Sequence, residues 1–214
     1  MSFAQNGEDV RLWTALSDIK EGFYVDVGAG HPEEISVTKS FYDQGWHGIN
    51  IEPNAEMYKL LVAARRRDIN VYAAAGATTG SGIFYHYDKG VGIVADKPQI
   101  RSIFESHGHQ GHPTLLGQVT LNHVLTQHPP PDDIHFLKID VEGYEPEVLL
   151  GIDLSRYRPW IIVAEASLPA GGDRSDQIWA PYLLDNGYEF SVFDGLNCFY
   201  VRHESRDRHR QLQA

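Results

Sequence analysis

Phe23-Tyr24-Val25-Asp26-Val27-Gly28-Ala29-Gly30 is the stretch on which the fold turns. Tyr24 to Val27 is apolar and β-branched, as a short buried strand is, and the glycines end it in a sharp turn into a helix. Glycine lets a ligand approach the backbone, and a helix N-terminus offers unpaired N–H groups. Strand, glycine turn and helix together make a nucleotide-type pocket at the carboxyl edge of a parallel sheet. Gly28, Ala29 and Gly30 are the expected floor of that pocket. The dinucleotide fingerprint asks for glycine at its first, third and sixth positions, and Glu33 stands at the sixth. Asp26, at the strand's end, repels a pyrophosphate and suits a ligand carrying an ammonium or a sulfonium.

The next strand, Gly48-Ile49-Asn50-Ile51-Glu52-Pro53, ends in an acid. A carboxylate there accepts both hydroxyls of a ribose. Asp26, Glu52 and the adjoining Pro53 therefore favour S-adenosylmethionine over a nicotinamide dinucleotide; the bland alternative is two solvated loop acids.

The bulk properties exclude several classes. The chain has 214 residues and a formal net charge of −11, which argues against nucleic acid as a partner. The single Cys198 excludes an intrachain disulfide and suits a reducing compartment. No apolar run is long enough to span a bilayer, and the N-terminal segment, with Glu8 and Asp9, is no signal peptide. A cytoplasmic protein is expected, with one domain over residues 1–203. Residues 204–214, basic and without periodicity, are expected to be a flexible polar tail.

Read in order, the chain alternates strands and helices. Asn6 caps a first helix whose core face is Val10, Trp13, Leu16 and Ile19. A helix over Glu33–Gln44 follows the glycine turn, and a third, capped by Asn54, closes on Arg65, Arg66 and Arg67, which complement its dipole. Further strands are expected at Asn70–Ala75, Ile83–Tyr87, Ile134–Asp140 and Trp160–Glu165. Asp96, Thr120 and Ser175 are expected to cap helices. The segment from about 89 to 117 carries His107, His109 and His112 and reads as a lid insert over the pocket, with metal binding by the histidines as a lesser alternative. Tyr188–Phe193 and Cys198–Arg202, joined by four residues, form an antiparallel hairpin. The fold class is α/β: a mostly parallel, Rossmann-like sheet with one antiparallel strand in that C-terminal hairpin.

Several blocks resemble a known family. They are Gln5-Asn6-Gly7-Glu8-Asp9, Phe23 to Ala29, Ser36-Val37-Thr38, Phe41-Tyr42, Gly45-Trp46, Gly48 to Pro53, Phe136 to Gly143 and Phe193 to Asn197. In this order they are similar to the FkbM-type S-adenosylmethionine-dependent methyltransferases, over nearly the whole chain. The resemblance implies a class I methyltransferase fold and methyl transfer to oxygen. It also implies glycan or glycolipid assembly, hence a sugar acceptor, with a glycosyltransferase or a second copy of the chain as a partner. The weakest match is the segment 89–117, which bears on the substrate.

Methyl transfer to a sugar hydroxyl needs alignment and removal of a proton. Asp140 and Glu165, at the carboxyl ends of two strands, project toward one crevice and are the expected catalytic acids. Together they can hold a divalent ion, magnesium or manganese. This resembles the metal-dependent macrolide-sugar O-methyltransferases, in which the second acid has an acidic neighbour. Here that neighbour is Ala166, so Asp194 or a histidine of the loop would supply the third ligand. If no metal binds, Asp140 is the base, with His31 beside the glycine turn as the alternative. Gln5, Glu8 and Asp9 either close over the cofactor's methionine end or simply start a helix. Lys138 shares a strand face with Asp140 and reads as an ion-pair partner. Glu142 and Glu145 read as acids at a helix start, and Tyr42 and Trp46 as core. The competing function is a non-catalytic S-adenosylmethionine-binding module of a glycan-assembly complex, which would have no need of Asp140 and Glu165.

Overall fold

The computed structural model describes residues 2–87, 92–167 and 174–213. Helix α1 (Glu8–Leu16) leads into β1 (Phe23–Val27), α2 (Lys39–Asp43), β2 (His47–Ile51), α3 (Ala55–Ala64) and β3 (Ile69–Val71). Next come β4 (Ala74–Ala75), β5 (Gly80–Tyr87), β6 (Gly92–Ala95), α4 (Pro98–Ser106) and β7 (Gly111–Val119). The chain continues through α5 (Leu121–Gln127), β8 (Phe136–Ile139), α6 (Glu145–Leu150), β9 (Ile161–Glu165) and α7 (Ala180–Asp185). It finishes with β10 (Tyr188–Phe193), β11 (Asn197–Arg202) and α8 (Asp207–Leu212).

Seven strands form the main sheet in the order β10-β11-β9-β8-β1-β2-β3. β9, β8, β1, β2 and β3 pair in parallel, and β11 runs antiparallel to both of its neighbours. β1 is buried along its whole length, as a central strand covered on both faces must be. Alternation sorts its side chains. Val25 and Val27 join Ile49, Leu137 and Ile162 in a core closed by Leu121 and Val148. Tyr24 faces the other way, with Phe136, Phe41, Trp46 and Leu12. There the Phe41 ring lies 4.8 Å from Phe136 and 4.9 Å from Trp46, centroid to centroid. Removing one such ring costs about 3–5 kcal/mol. Trp46 is fully buried, as expected of a core residue.

β4, β7, β5 and β6 form a second sheet. The segment expected as a lid insert is thus mostly β6, α4 and β7 from Gly92 on; residues 88–91 lie outside the described residues. Phe84, Ala95, Leu116 and Ala74 form one small core there, and Tyr87, Val94, Ile100 and Phe104 another. β5 pairs with β7 along its full length despite Gly80, Gly82, Gly111 and Gly117. At Gly111 a side chain would strike the Tyr87 ring, so that glycine serves packing rather than a loop.

Other expectations are corrected. α1 starts at Gly7 without a side-chain cap, and Val10 is 52% exposed. Leu12, Ala15 and Leu16 of the helix are buried, and Trp13, with Ile19 just beyond the helix, packs partly buried against the same core. The expected helix from Glu33 begins only at Lys39, after an irregular stretch. The strand expected over Asn70–Ala75 is split between the two sheets. The N-cap of α4 is Lys97, not Asp96. Ser175 does stand at the N-cap position but makes no side-chain hydrogen bond there, and the helix after it is a single 3₁₀ turn, Asp176–Ile178, before α7 restarts at Ala180-Pro181. Proline has no N–H and clashes with the preceding turn, so a continuous helix cannot pass through it.

The expected flexible tail is a helix. Leu212 is fully buried, and Arg208 donates to the Ala15 carbonyl at 2.8 Å and grips both oxygens of Asp18. One apolar residue and one bidentate arginine dock α8 on α1.

Candidate active site

Three strand ends build the site. β1 ends in Gly28, with φ +72°, where an added Cβ would lie 1.9 Å from the Asp140 carbonyl oxygen. Only glycine lets the ends of β1 and β8 come this close. Gly28 and Ala29 donate their N–H groups to the Ile51 carbonyl at 3.0 and 3.3 Å. Gly30 donates to Glu52 Oε2 at 2.7 Å, and Asn54 to Glu52 Oε1 at 2.7 Å. The expected free amides of a helix N-terminus are therefore absent. Each N–H of the turn is already paired, and each oxygen of Glu52 keeps one lone pair toward the open side. Burial raises the Glu52 pKa, against the pull of these donors and of Lys138.

A cleft of about 540 Å³ opens over this turn, within the range of small-molecule sites. Gln5, Gly28, Ala29, Gly30, His31, Glu52, Pro53, Lys138, Asp140 and Glu142 line it. Ile35 and Met57 line it too, as do His86, Tyr87 and Ile93 of the second sheet. A narrow apolar slot between the two sheets, bounded by Ile51, Pro53, Ala75 and Tyr144, adjoins the cleft at Gly28 and Pro53.

Asp26 does not line the cleft. It is buried beside Lys138, its register partner on β8, whose ammonium lies 3.4 Å away; Thr38 donates to its other oxygen at 3.0 Å. Lys138 also donates to the Gly28 carbonyl at 2.7 Å and sits 3.4 Å from Asp140. Burial alone would lower the lysine's pKa, but Asp26 and Asp140 outweigh it and raise the value. Asp26 thus faces a lysine rather than a bound cation.

Asp140 and Glu165 do come together, and Glu142 joins them. Each offers a carboxylate oxygen, and these oxygens lie within 4.8 Å of one another. Glu142 reaches the cluster because its backbone is left-handed, φ +54°, just before Gly143. Glu145 holds that turn by accepting from the Val141 and Gly143 amides at 3.1 and 3.2 Å. Glu165 Oε1 accepts from Ser167 at 3.2 Å, while its buried Oε2 has no partner among the described residues. Burial, then the negative charge of Asp140, pushes Glu165 up to about 9 and Glu142 to about 8; burial raises Glu145 to about 7. Carboxyls so crowded stay protonated or take a cation.

The other expected third ligands are engaged elsewhere. Asp194 accepts from the Leu196 and Asn197 amides at 2.9 and 2.7 Å and fixes its own turn. Among the described residues, no histidine belongs to such a group. His31 reaches the cleft, but its Nδ1 accepts from the Glu33 and Glu34 amides at 3.2 and 3.0 Å. The neutral ring then carries its proton on Nε2, so the free nitrogen is a donor and not a base. Glu8 accepts from Asn6 and Asn197, and Asp9 from Ser2 and Phe3; both tie down the N-terminal loop, and only the exposed Gln5 faces the cleft. Arg65, expected at an exposed helix end, is buried and grips the segment that carries His31. Its only signal in the sequence is being the first of three arginines.

Among the described residues, no helix is long and apolar enough to cross a membrane. No curated protein matches the chain. Residues 26–190, from Asp26 to the middle of β10, match the model of the methyltransferase FkbM domain and include every strand end described above. The chain therefore belongs to the FkbM methyltransferase family.

Proposed function

We propose that the protein is an S-adenosylmethionine-dependent O-methyltransferase with a class I fold, acting on a sugar hydroxyl of a glycan, glycolipid or glycosylated metabolite. The observation that carries this reading is Glu52, held by two backbone donors at the end of β2 with lone pairs facing a cleft whose glycine turn has no amide left for a phosphate. Its carboxylate accepts the ribose hydroxyls. When bound, S-adenosylmethionine supplies a sulfonium methyl for in-line displacement by the acceptor oxygen.

Lys138 fixes the Gly28 carbonyl on one side and Asp140 on the other, so cofactor loop and acid share one support. Asp140 faces the cleft and, if no metal binds, accepts the acceptor hydroxyl's proton as oxygen attacks. The acid cluster fits a divalent ion: Glu165 Oε2 is buried without a partner, and three carboxylates converge. Asp140, Glu142 and Glu165 would hold magnesium or manganese, which supplies positive charge that acidifies the acceptor hydroxyl. The second sheet is the lid side of the cleft, and it leaves Asp140 and Glu142 in reach of a sugar.

Incubation with methyl-tritiated S-adenosylmethionine and a glycan fraction tests the reading. Label is expected in an acid-stable O-methyl sugar. Binding without transfer to any acceptor would leave a binding module, and absence of binding in calorimetry would remove the cofactor.

A further inference from the structure

The His31 ring reaches the cleft in a fixed orientation. Its Nδ1 accepts from the Glu33 and Glu34 amides at 3.2 and 3.0 Å, which closes the turn that follows and leaves the ring proton on Nε2. The backbone on both sides is held as well. Gly30, before it, is bound to Glu52. After it, the Pro32 carbonyl accepts from Arg65 Nε at 3.1 Å. The same guanidinium, 1% exposed, donates to Ser36 Oγ at 3.0 Å and to the Thr38 carbonyl at 3.3 Å. Among the described residues, no hydrogen bond engages His31 Nε2. A rigid donor is thus left over at the cleft.

The order of the strands says what meets it. β1 lies between β2 and β8. With the ribose on Glu52 and the reacting methyl at Asp140, the cofactor crosses the end of β1, where Gly28, Ala29, Gly30 and His31 line the cleft. Its methionine chain carries a carboxylate, and donors are scarce there. The Gly28, Ala29 and Gly30 amides are taken by Ile51 and Glu52. Lys138 is engaged by Asp26, Asp140 and the Gly28 carbonyl. Glu34, Asp140 and Glu142 also line the cleft and repel an anion. Asn54 stands on the ribose side, with its amide on Glu52. Gln5 and His86 offer side-chain donors too, but no hydrogen bond among the described residues fixes either, whereas His31 is preorganised.

We propose that His31 is a cofactor-binding residue, which donates from Nε2 to the methionine carboxylate of S-adenosylmethionine. The inference rests on the reading of the cleft as the site of that cofactor. It gives the histidine a role that its tautomer allows, where that of a base is closed to it.

The test compares S-adenosylhomocysteine with its decarboxylated form, which lacks the carboxylate alone, by calorimetry on wild type and His31→Asn. Asparagine accepts from the same following amides but has no N–H at the reach of Nε2. The thermal midpoint of the variant without ligand should therefore stay close to that of wild type. Wild type should bind S-adenosylhomocysteine about tenfold or more tighter than the decarboxylated form, the scale of a hydrogen bond to a charged group. In His31→Asn that preference should shrink by at least about fivefold, while affinity for the decarboxylated form stays within about twofold of wild type. Equal binding of both forms by wild type overturns the proposal without any variant. So does a variant whose preference shrinks less, or one that loses affinity equally for both forms. Proton NMR on wild type reads the donor directly. The His31 Nε2–H resonance should move downfield with S-adenosylhomocysteine and not with the decarboxylated form, and an unmoved resonance with both would overturn the proposal. Wild type that binds neither form removes the cofactor reading itself.

Discussion

The Lys138 ammonium lies 3.4 Å from a carboxylate oxygen of Asp140 and 3.4 Å from one of Asp26, between the half-buried acid of the site and the buried acid beside it. One side chain thus joins β1 to β8 and, through the Gly28 carbonyl, shapes the turn at which the cofactor is expected. Lys138→Met leaves Asp26 buried and unpaired, which costs about 3–5 kcal/mol. Adding Asp26→Asn should recover a large part of that loss in denaturant melts. A double variant no more stable than Lys138→Met would show that the pair is not coupled.

Gly28→Ala tests the close approach of β1 and β8. Its Cβ would meet the Asp140 carbonyl oxygen, a backbone atom that cannot swing aside. Affinity for S-adenosylhomocysteine should fall more than about tenfold. An alanine variant that binds as wild type does would mean that the turn opens freely.

Glu52→Ala removes the ribose acceptor together with the brace on Gly30 and Asn54. A charged hydrogen-bond partner is worth about 1.5–3 kcal/mol, so affinity should drop by at least about tenfold in calorimetry. Unchanged affinity in a folded variant would take Glu52 out of the site.

The acid cluster sets a pH dependence. Glu165, Glu142 and Glu145 are raised to about 9, 8 and 7, whereas an unfolded glutamate ionises near about 4.3. Between those values the folded chain binds more protons than the unfolded one, so stability falls as pH rises. This contribution is present in full below the unfolded pKa and is lost as pH passes through the folded values. In chelator, the melting temperature should decline from about pH 5 to about pH 9, and Glu165→Gln should flatten the decline. Magnesium or manganese should do the same for wild type. A flat wild-type profile in chelator would contradict the crowding.

The parts of this arrangement that sequence makes legible are those carried by neighbours in the chain. β1, its glycine turn, β2 and Glu52 follow one another within thirty residues, and alternation and turn chemistry are enough to read them. Asp140 and Glu165 were legible as acids at strand ends. What stayed hidden depends on distant partners. Asp26 reads as a ligand for a cation because Lys138, which neutralises it, comes from a strand far along the chain. Glu142 reads as an acid at a helix start because its left-handed backbone is set by the turn around Glu145. Arg65 reads as a solvated charge until the segment 32–38 folds over it. The second sheet is obscured by glycines that serve packing, and α8 by a basic composition in which Leu212 is the one buried apolar residue.

Metal dependence separates two versions of the chemistry. If the cluster holds an ion, chelator abolishes transfer and magnesium or manganese restores it. If Asp140 acts directly as the base, chelator leaves the rate unchanged.

The most direct measurement is transfer of tritiated methyl to a glycan fraction by wild type and Asp140→Asn, with S-adenosylhomocysteine affinity measured on both. The account predicts that the variant keeps its cofactor affinity, since the cofactor rests mainly on β1 and β2, while turnover falls by about 10²-fold or more. A fully active Asp140→Asn would contradict it, because the chemistry would then lie away from the end of β8.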